Sequence, residues 1–199
     1  MYEGVDTIIL DNELAWQDLL PVAFRPLAAP LELAAVTALT DRNVRMLQVC
    51  AVLEEHGATE KKDESAPHAA DMMRLEVKVN LLLDLVGQLL AAQLQRPAAT
   101  LVRFNATGAQ WRATTPLRAG QQGLLEIWLR ESLPQPLALI ANVTHVAADG
   151  QVKAIFVPPG EATADLLEKL AFRRHRRQVA GVRQPRRTGS ESGVTRVLR

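Results

Sequence analysis

The chain has 199 residues, 48% of them hydrophobic, and a net charge of +1, which suits one domain of ordinary size with a buried core. Its single cysteine, Cys50, excludes an intrachain disulfide and a cysteine-rich zinc site. The start "MYEGVDTIIL" has acids where a signal peptide wants a basic region, and no apolar run approaches the ~20 residues of a membrane span, so a cytoplasmic protein without a membrane span is expected.

Residues 5 to 30 read as extended. "VDTIIL" is a strand candidate by its β-branched residues. The prolines of "LLPVAFRPLAAP" exclude a long helix there. From residue 31 the character changes. "LELAAVTALTDRNVRMLQVCAVLEEHG" has no Pro or Gly before Gly57, and Val36, Leu39, Asn43, Met46, Cys50 and Leu53 fall on one helical face. Gly57 is a suitable stop. Cys50 on that face reads as a small buried hydrophobe. Glu54 and Glu55 read as a solvated pair at the helix end. "ATEKKDESAP" is a polar connection, with Ser65 and Pro67 suited to opening the next helix.

The second helix carries the strongest pattern. In "HAADMMRLEVKVNLLLDLVGQLLAAQLQ", Met72, Leu75, Val79, Leu82, Val86 and Leu89 alternate three and four residues apart, an a/d heptad seam. A helix over 68–95 would be roughly 40 Å long. Leu83 and Leu90 at e and Leu85 at g are apolar too. Val at a with Leu at d would favour a two-stranded coil; the apolar flanks favour a larger bundle. The seam could instead pack on the first helix within one chain, but it is wider than one antiparallel partner covers. Self-association is therefore expected, as a tetramer rather than a dimer.

Residues 100 to 157 switch to strand patterns. "TLVRF", "AQWRAT", "GLLEIWLR", "LALIANVTHV" and "QVKAIFV" are separated by short turns, with "AADG" reading as a hairpin. "PPGEATADLLEKLAFRRHRRQ" supplies a breaker, a start signal and an amphipathic helix. The composition beyond Gly181 predicts disorder. From Arg173 to Arg199 there are nine arginines and one acid, Glu191, so the remainder of the chain is net acidic. Such a tail can meet nucleic acid, anionic lipid or an acidic partner. Without interleaved aromatics, sequence-specific nucleic-acid binding is not expected.

The order of these strands, followed by an arginine-rich helix ending "LAFRRHRRQ", resembles the PilZ domain family over residues 97 to 180, and more loosely over the first 30. The resemblance implies a six-stranded antiparallel β-barrel with a C-terminal helix. The predicted fold class is therefore α+β: a small PilZ-like barrel interrupted by a pair of long helices that form a coiled-coil bundle. Residues 1–30 and 97–180 would make the split barrel, 31–96 an oligomerising insertion and 181–199 a basic tail. Within the family, the chain resembles the helix-inserted tetrameric variant.

Members that bind cyclic di-GMP use R-x-x-x-R before the barrel and [D/N]-x-S-x-x-G at a strand turn. Two arginines supply forked donors for phosphate and a guanine edge. Anchored on Gly108, the second motif reads here with Arg103 and Asn105 at its polar positions, so a cation stands where an acceptor belongs. The first motif is missing: "PVAFRPLAAP" offers Arg25 alone, and Arg42 and Arg45 are three apart. Arg173 and Arg177 have the spacing but lie in the final helix. The resemblance thus implies a non-catalytic regulatory or scaffold protein in cyclic di-GMP-linked signalling, in motility, pili or virulence, acting on an unidentified signalling protein and binding the messenger weakly or not at all. Alternatives are a direct receptor using Arg103, Asn105 and Gly108, or a nucleic-acid binder working through its tail. His56, His68, His145 and His175 have no ligand spacing, so no metal, cofactor or catalytic residue is expected.

Overall fold

Six strands with alternating burial close on themselves at the centre of the computed structural model, which describes residues 9–11, 13–55, 69–93 and 96–182. The elements in chain order are β1 (Ile9–Leu10), β2 (Glu13–Leu14), β3 (Trp16–Pro26), α1 (Leu33–Glu55), α2 (Ala69–Gln93), β4 (Ala99–Phe104), β5 (Gly108–Arg112), β6 (Gln122–Ile127), β7 (Leu137–Val146), β8 (Gln151–Phe156) and α3 (Glu161–Val182). The barrel runs β3-β4-β5-β8-β7-β6 and back to β3, antiparallel throughout; β1 and β2 form a separate hairpin.

β3 closes the barrel by changing partners. Trp16 to Pro21 pair with β4, and Val22 to Pro26 pair with β6. Proline has no N–H to contribute to a ladder, and Pro21 falls at the changeover, where its carbonyl accepts from the Trp128 amide at 3.1 Å. The "AADG" hairpin forms between β7 and β8, with Gly150 at φ 84°.

The pattern of each strand sorts its residues. Val102, Phe104, Trp111, Leu125, Ile127, Leu139, Val143, Val152 and Phe156 fill the interior. Phe104 packs edge-on against Trp16 at 5.5 Å, and Phe24 stacks on Trp111 at 6.1 Å. α3 seals the core with Leu167, Leu170 and Ala171.

The two helices inserted between β3 and β4 behave differently. α1 packs on α3 and β7, and Met46, Leu47 and Cys50 join the barrel core. Asn43 on the same face is buried and plays the part of a strand neighbour. It donates to the carbonyl of Ala138 at 2.7 Å and accepts from its amide at 3.2 Å. Those groups lie on the part of β7 that β8 does not reach, so a side-chain amide covers an otherwise open edge. α2, by contrast, is exposed at almost all of its described positions. Gly87 is its one buried position among those described, set against the backbone of Ser132.

The polar connection with Ser65 and Pro67, the beginning of "VDTIIL" and the basic tail from residue 183 onward lie outside the described residues. Gly181 does not end α3, which is described to Val182.

Candidate functional site

The turn that joins β4 to β5 is built around the side chain of Asn105. Its Oδ1 accepts from the amides of Thr107 at 3.0 Å and Gly108 at 2.8 Å, and from the Thr107 hydroxyl. Its Nδ2 donates to the carbonyl of Leu10 at 3.1 Å and to Glu13 at 3.3 Å. An asparagine that folds its own loop in this way makes an Asx turn. The β1–β2 hairpin lies over it, leaving Asn105 only 1% exposed. The hydrogen-bonding capacity of the side chain is thus spent inside the fold. Gly108 has a different role from the one its turn position suggested. Its φ is not positive; a Cβ there would stand 2.6 Å from the carbonyl oxygen of Ala154 on β8. It is a glycine because β8 comes close. Arg103 lies on the outer side of β4, between inward-facing Val102 and Phe104, opposite Gln17 and Gln110. The turn therefore groups Asn105 and Gly108, with Arg103 alongside on the outer face.

Three of the other arginine candidates, Arg25, Arg173 and Arg177, have partners of their own, whereas Arg42 and Arg45 lie on α1 beside an apolar groove. Arg25 grips Glu126 across β3 and β6 with two hydrogen bonds, at 3.0 and 2.6 Å. Arg173 and Arg177 converge with Arg174 on Glu54, at the end of α1. Arg174 Nε donates to Glu54 at 2.8 Å, while Arg173 and Arg177 stand 3.6 and 3.8 Å from its carboxylate. Arg177 also donates to the Glu54 carbonyl at 2.6 Å, satisfying one of the unpaired carbonyls at the helix terminus. Arg174 reaches further, to the carbonyl of Leu129 at 3.2 Å and over the ring of Trp16 at 4.7 Å.

Glu54 is therefore not the solvated helix-end carboxylate that its position implied. Its side chain is 2% exposed. The reason is tertiary: α3 crosses the end of α1 and brings the three guanidinium groups that permit burial of a carboxylate. The signal in the sequence is its place in the stripe Asn43, Leu47, Cys50, Glu54, which carries charge into a buried face. Burial pushes the neighbouring Cys50 thiol up to about 11, and outweighs the opposing pull of Arg174.

The seam residues Met72, Leu75, Val79, Leu82, Val86 and Leu89 all lie on α2, and all are exposed. Met73, Val77 and Leu81 add a second exposed stripe around the same helix. On α1, Val49 and Val52 are exposed as well. No helix among the described residues is long and apolar enough to cross a membrane.

Comparison with known proteins places these features. The family model described as "Atypical PilZ domain, cyclic di-GMP receptor" matches residues 47–184. Among solved structures, the chain is similar to a pathogenic protein from Xanthomonas campestris, at 26% identity and a TM-score of 0.70, over 86% of this chain and 93% of that one. That protein is described as a new tetrameric PilZ domain self-assembled via an unusual helical bundle. No curated protein matches the chain.

Proposed function

The chain belongs to the atypical PilZ family, and from that premise we propose that it is a non-catalytic regulatory or scaffold protein of cyclic di-GMP-linked signalling that assembles with copies of itself through α2. The observation that carries the assembly is the exposed seam. Met72, Leu75, Val79, Leu82, Val86 and Leu89 cannot all stay in water without cost, since each large apolar side chain is worth roughly 1.5–3 kcal/mol when buried. Exposed patches of this size mark interaction sites. The seam repeats on a 3.5-residue period, which a second copy of the same helix satisfies. A groove on α1 lined by Ala35, Ala38, Leu39, Met46 and Val49 beside Leu133 gives a further apolar face to cover. This supports four copies over two, with residues 31–96 as the assembling segment and the barrel of 1–30 and 97–180 held outside it. The helical bundle of the Xanthomonas relative supports the same reading.

The messenger is not read by the 105–108 turn in this proposal. Asn105 is committed to Leu10, Glu13, Thr107 and Gly108, and Arg25 to Glu126. A second reading, direct reception through a remodelled site containing Arg103, Asn105 and Gly108, is favoured by the description of the family as cyclic di-GMP receptors. Two measurements separate them. Sizing with light scattering should give a tetramer; a monomer at all concentrations sinks the assembly. Calorimetric titration with cyclic di-GMP should give no binding that Arg103→Ala weakens. Micromolar binding abolished by that substitution would establish the second reading.

A further inference from the structure

Strand register arranges the outer face of β4, β5, β8 and the part of β3 that pairs with β4 in rows. Gln17, Arg103, Gln110 and Lys153 stand side by side in one of them. The next holds Leu19 and Leu101, with Arg112 one step beyond the Val102–Trp111 pair and so beside Leu101. Pro21 and Ala99 follow. Alternation turns Trp16, Leu20, Val102, Phe104 and Trp111 inward, so residues of the opposite parity are expected to be polar. Leu19 and Leu101 break that pattern. They are directly opposed, at 65% and 49% exposure. Single exposed leucines are ordinary, whereas a cross-strand pair between Pro21–Ala99 and two arginines forms a patch. None of the roles given above uses this pair, and it shares no residue with the α2 seam.

The charge of this face is one-sided. Its outward positions carry Arg103, Arg112 and Lys153 and no acid. Lys153 is paired with Asp11. Arg103 and Arg112 make no side-chain hydrogen bond or ion pair among the described residues, and the Nε of Arg103 is buried without an acceptor. The acids at the margins are engaged: Asp18 accepts from the Leu19 amide at 2.8 Å and faces Arg174 at 3.7 Å, and Asp149 accepts from the Gln151 amide at 3.0 Å. An apolar centre beside arginines, with the neutral Gln17, Gln110 and Gln151 around it, has the composition of a protein-binding patch. A lipid surface calls for exposed aromatic side chains, and those of these strands, Trp16, Phe24, Phe104, Trp111 and Phe156, all pack in the core.

We propose that this face docks a segment of a second protein that presents carboxylates around an apolar stripe. Leu19 and Leu101 take the stripe, and Arg103 and Arg112 take the carboxylates. Docking here rests on the scaffold reading and gives it the surface on which a partner is met. Two leucines are few beside the roughly 20–30 residues a side of a stable complex. One copy should therefore bind weakly, and assembled copies should hold a clustered partner more tightly.

Anisotropy of a labelled helical peptide of leucine and glutamate, titrated with the full chain, tests this. Saturable binding is expected. Leu101→Asn, at an exposed position, should weaken it roughly tenfold. Arg112→Glu should weaken it several-fold, and more at low salt. The Arg112→Glu chain should also bind the matching leucine–lysine peptide better than the unsubstituted chain does, a reversal that a folding defect cannot produce. Leu82→Glu with Val86→Glu should leave the binding of each copy intact. Failed docking with a tetramer on sizing would overturn the docking alone; a monomer that still binds the peptide would overturn the assembly alone. Equal binding by Leu101→Asn, or loss of binding only on substitution of α2, would overturn the proposal. Binding to vesicles of phosphatidylglycerol and phosphatidylcholine that Arg112→Glu abolishes, without peptide binding, would overturn it in favour of a lipid surface.

Discussion

Glu54 and its arginines illustrate how much one buried charge can hold in place. The carboxylate is the shared counter-ion of three side chains from α3 and ends α1 at the same point. Replacing both partners of such a cluster by apolar groups can be neutral; removing one leaves the others unpaired. Glu54→Ala should therefore cost about 3–5 kcal/mol, measured as a loss of urea stability. A cost below about 1 kcal/mol, the range of surface pairs, would mean that the cluster is solvated. One turn earlier, Cys50 makes the complementary point. Burial raises its thiol from 9.0 to about 11, so the folded chain holds the proton more tightly than the unfolded one. The stability this contributes is complete below the unfolded value and is lost as pH rises through 9 to 11. Native protein should thus resist thiol alkylation until denatured, and the fall in stability on raising the pH should be smaller in Cys50→Ala. An equal slope in both would remove Cys50 as its cause. At this scale the sequence was only partly readable. The stripe position of Cys50 announced burial, and Asn105 and Gly108 announced a turn. The stripe position of Glu54 signalled a buried face, but the arginines that make its burial possible come from α3, more than a hundred residues away, and no local pattern names them.

Elements were far more legible than contacts, because period is a local property. The apolar runs of β4 to β8 alternate, and the seam of α2 repeats every three and four residues, so each element could be placed from its own residues. Partner choice was hidden. Nothing in "WQDLLPVAFRP" states that β3 pairs first with β4 and then with β6, although Pro21 marks the changeover once it is known. Nor does periodicity reveal where α2 meets the barrel. That contact depends on Gly87, where an added Cβ would lie 2.5 Å from the carbonyl oxygen of Ser132 and 2.8 Å from its Cα. Arg96 secures the same loop by donating to the carbonyls of Glu131 and Leu133, at 3.0 and 2.9 Å. Two effects oppose each other in Gly87→Ala. Helix propensity favours alanine by about 1 kcal/mol. The clash is with backbone, which cannot rotate away, and overpacking of this kind typically costs about 1–3 kcal/mol. The clash should win. The variant should show faster amide exchange in residues 130–133 and no rise in melting temperature; a more stable protein with an unchanged loop would show that α2 does not rest there.

At the scale of the whole molecule, the barrel and the proposed assembly draw on different residues, and that separation can be tested. The core of β3 to β8, α3 and the buried face of α1 contains none of the α2 seam. The seam meets solvent within one chain, with Leu82 at 61% and Val86 at 53% exposure. A substitution there changes no packing inside the protomer. Leu82→Glu with Val86→Glu should leave the barrel folded, with near-ultraviolet dichroism from its buried tryptophans intact, while the sizing mass falls to that of one chain. In the bundle the same two changes would bury carboxylates at adjacent core layers of every helix, each costing several kcal/mol without a partner. In an assembly of four copies, as proposed, that cost is multiplied, so the loss of assembly should be complete rather than graded. The isolated helix should also lose order, because helices gain most of their stability from packing an apolar face. An unchanged mass would mean that the copies meet elsewhere, for which the groove of Ala35, Ala38 and Met46 on α1 is the next surface to alter. Monomers with a melted barrel would instead mean that protomer and assembly fold as one cooperative unit, and that the exposed seam is a part of the core completed by other copies of the chain.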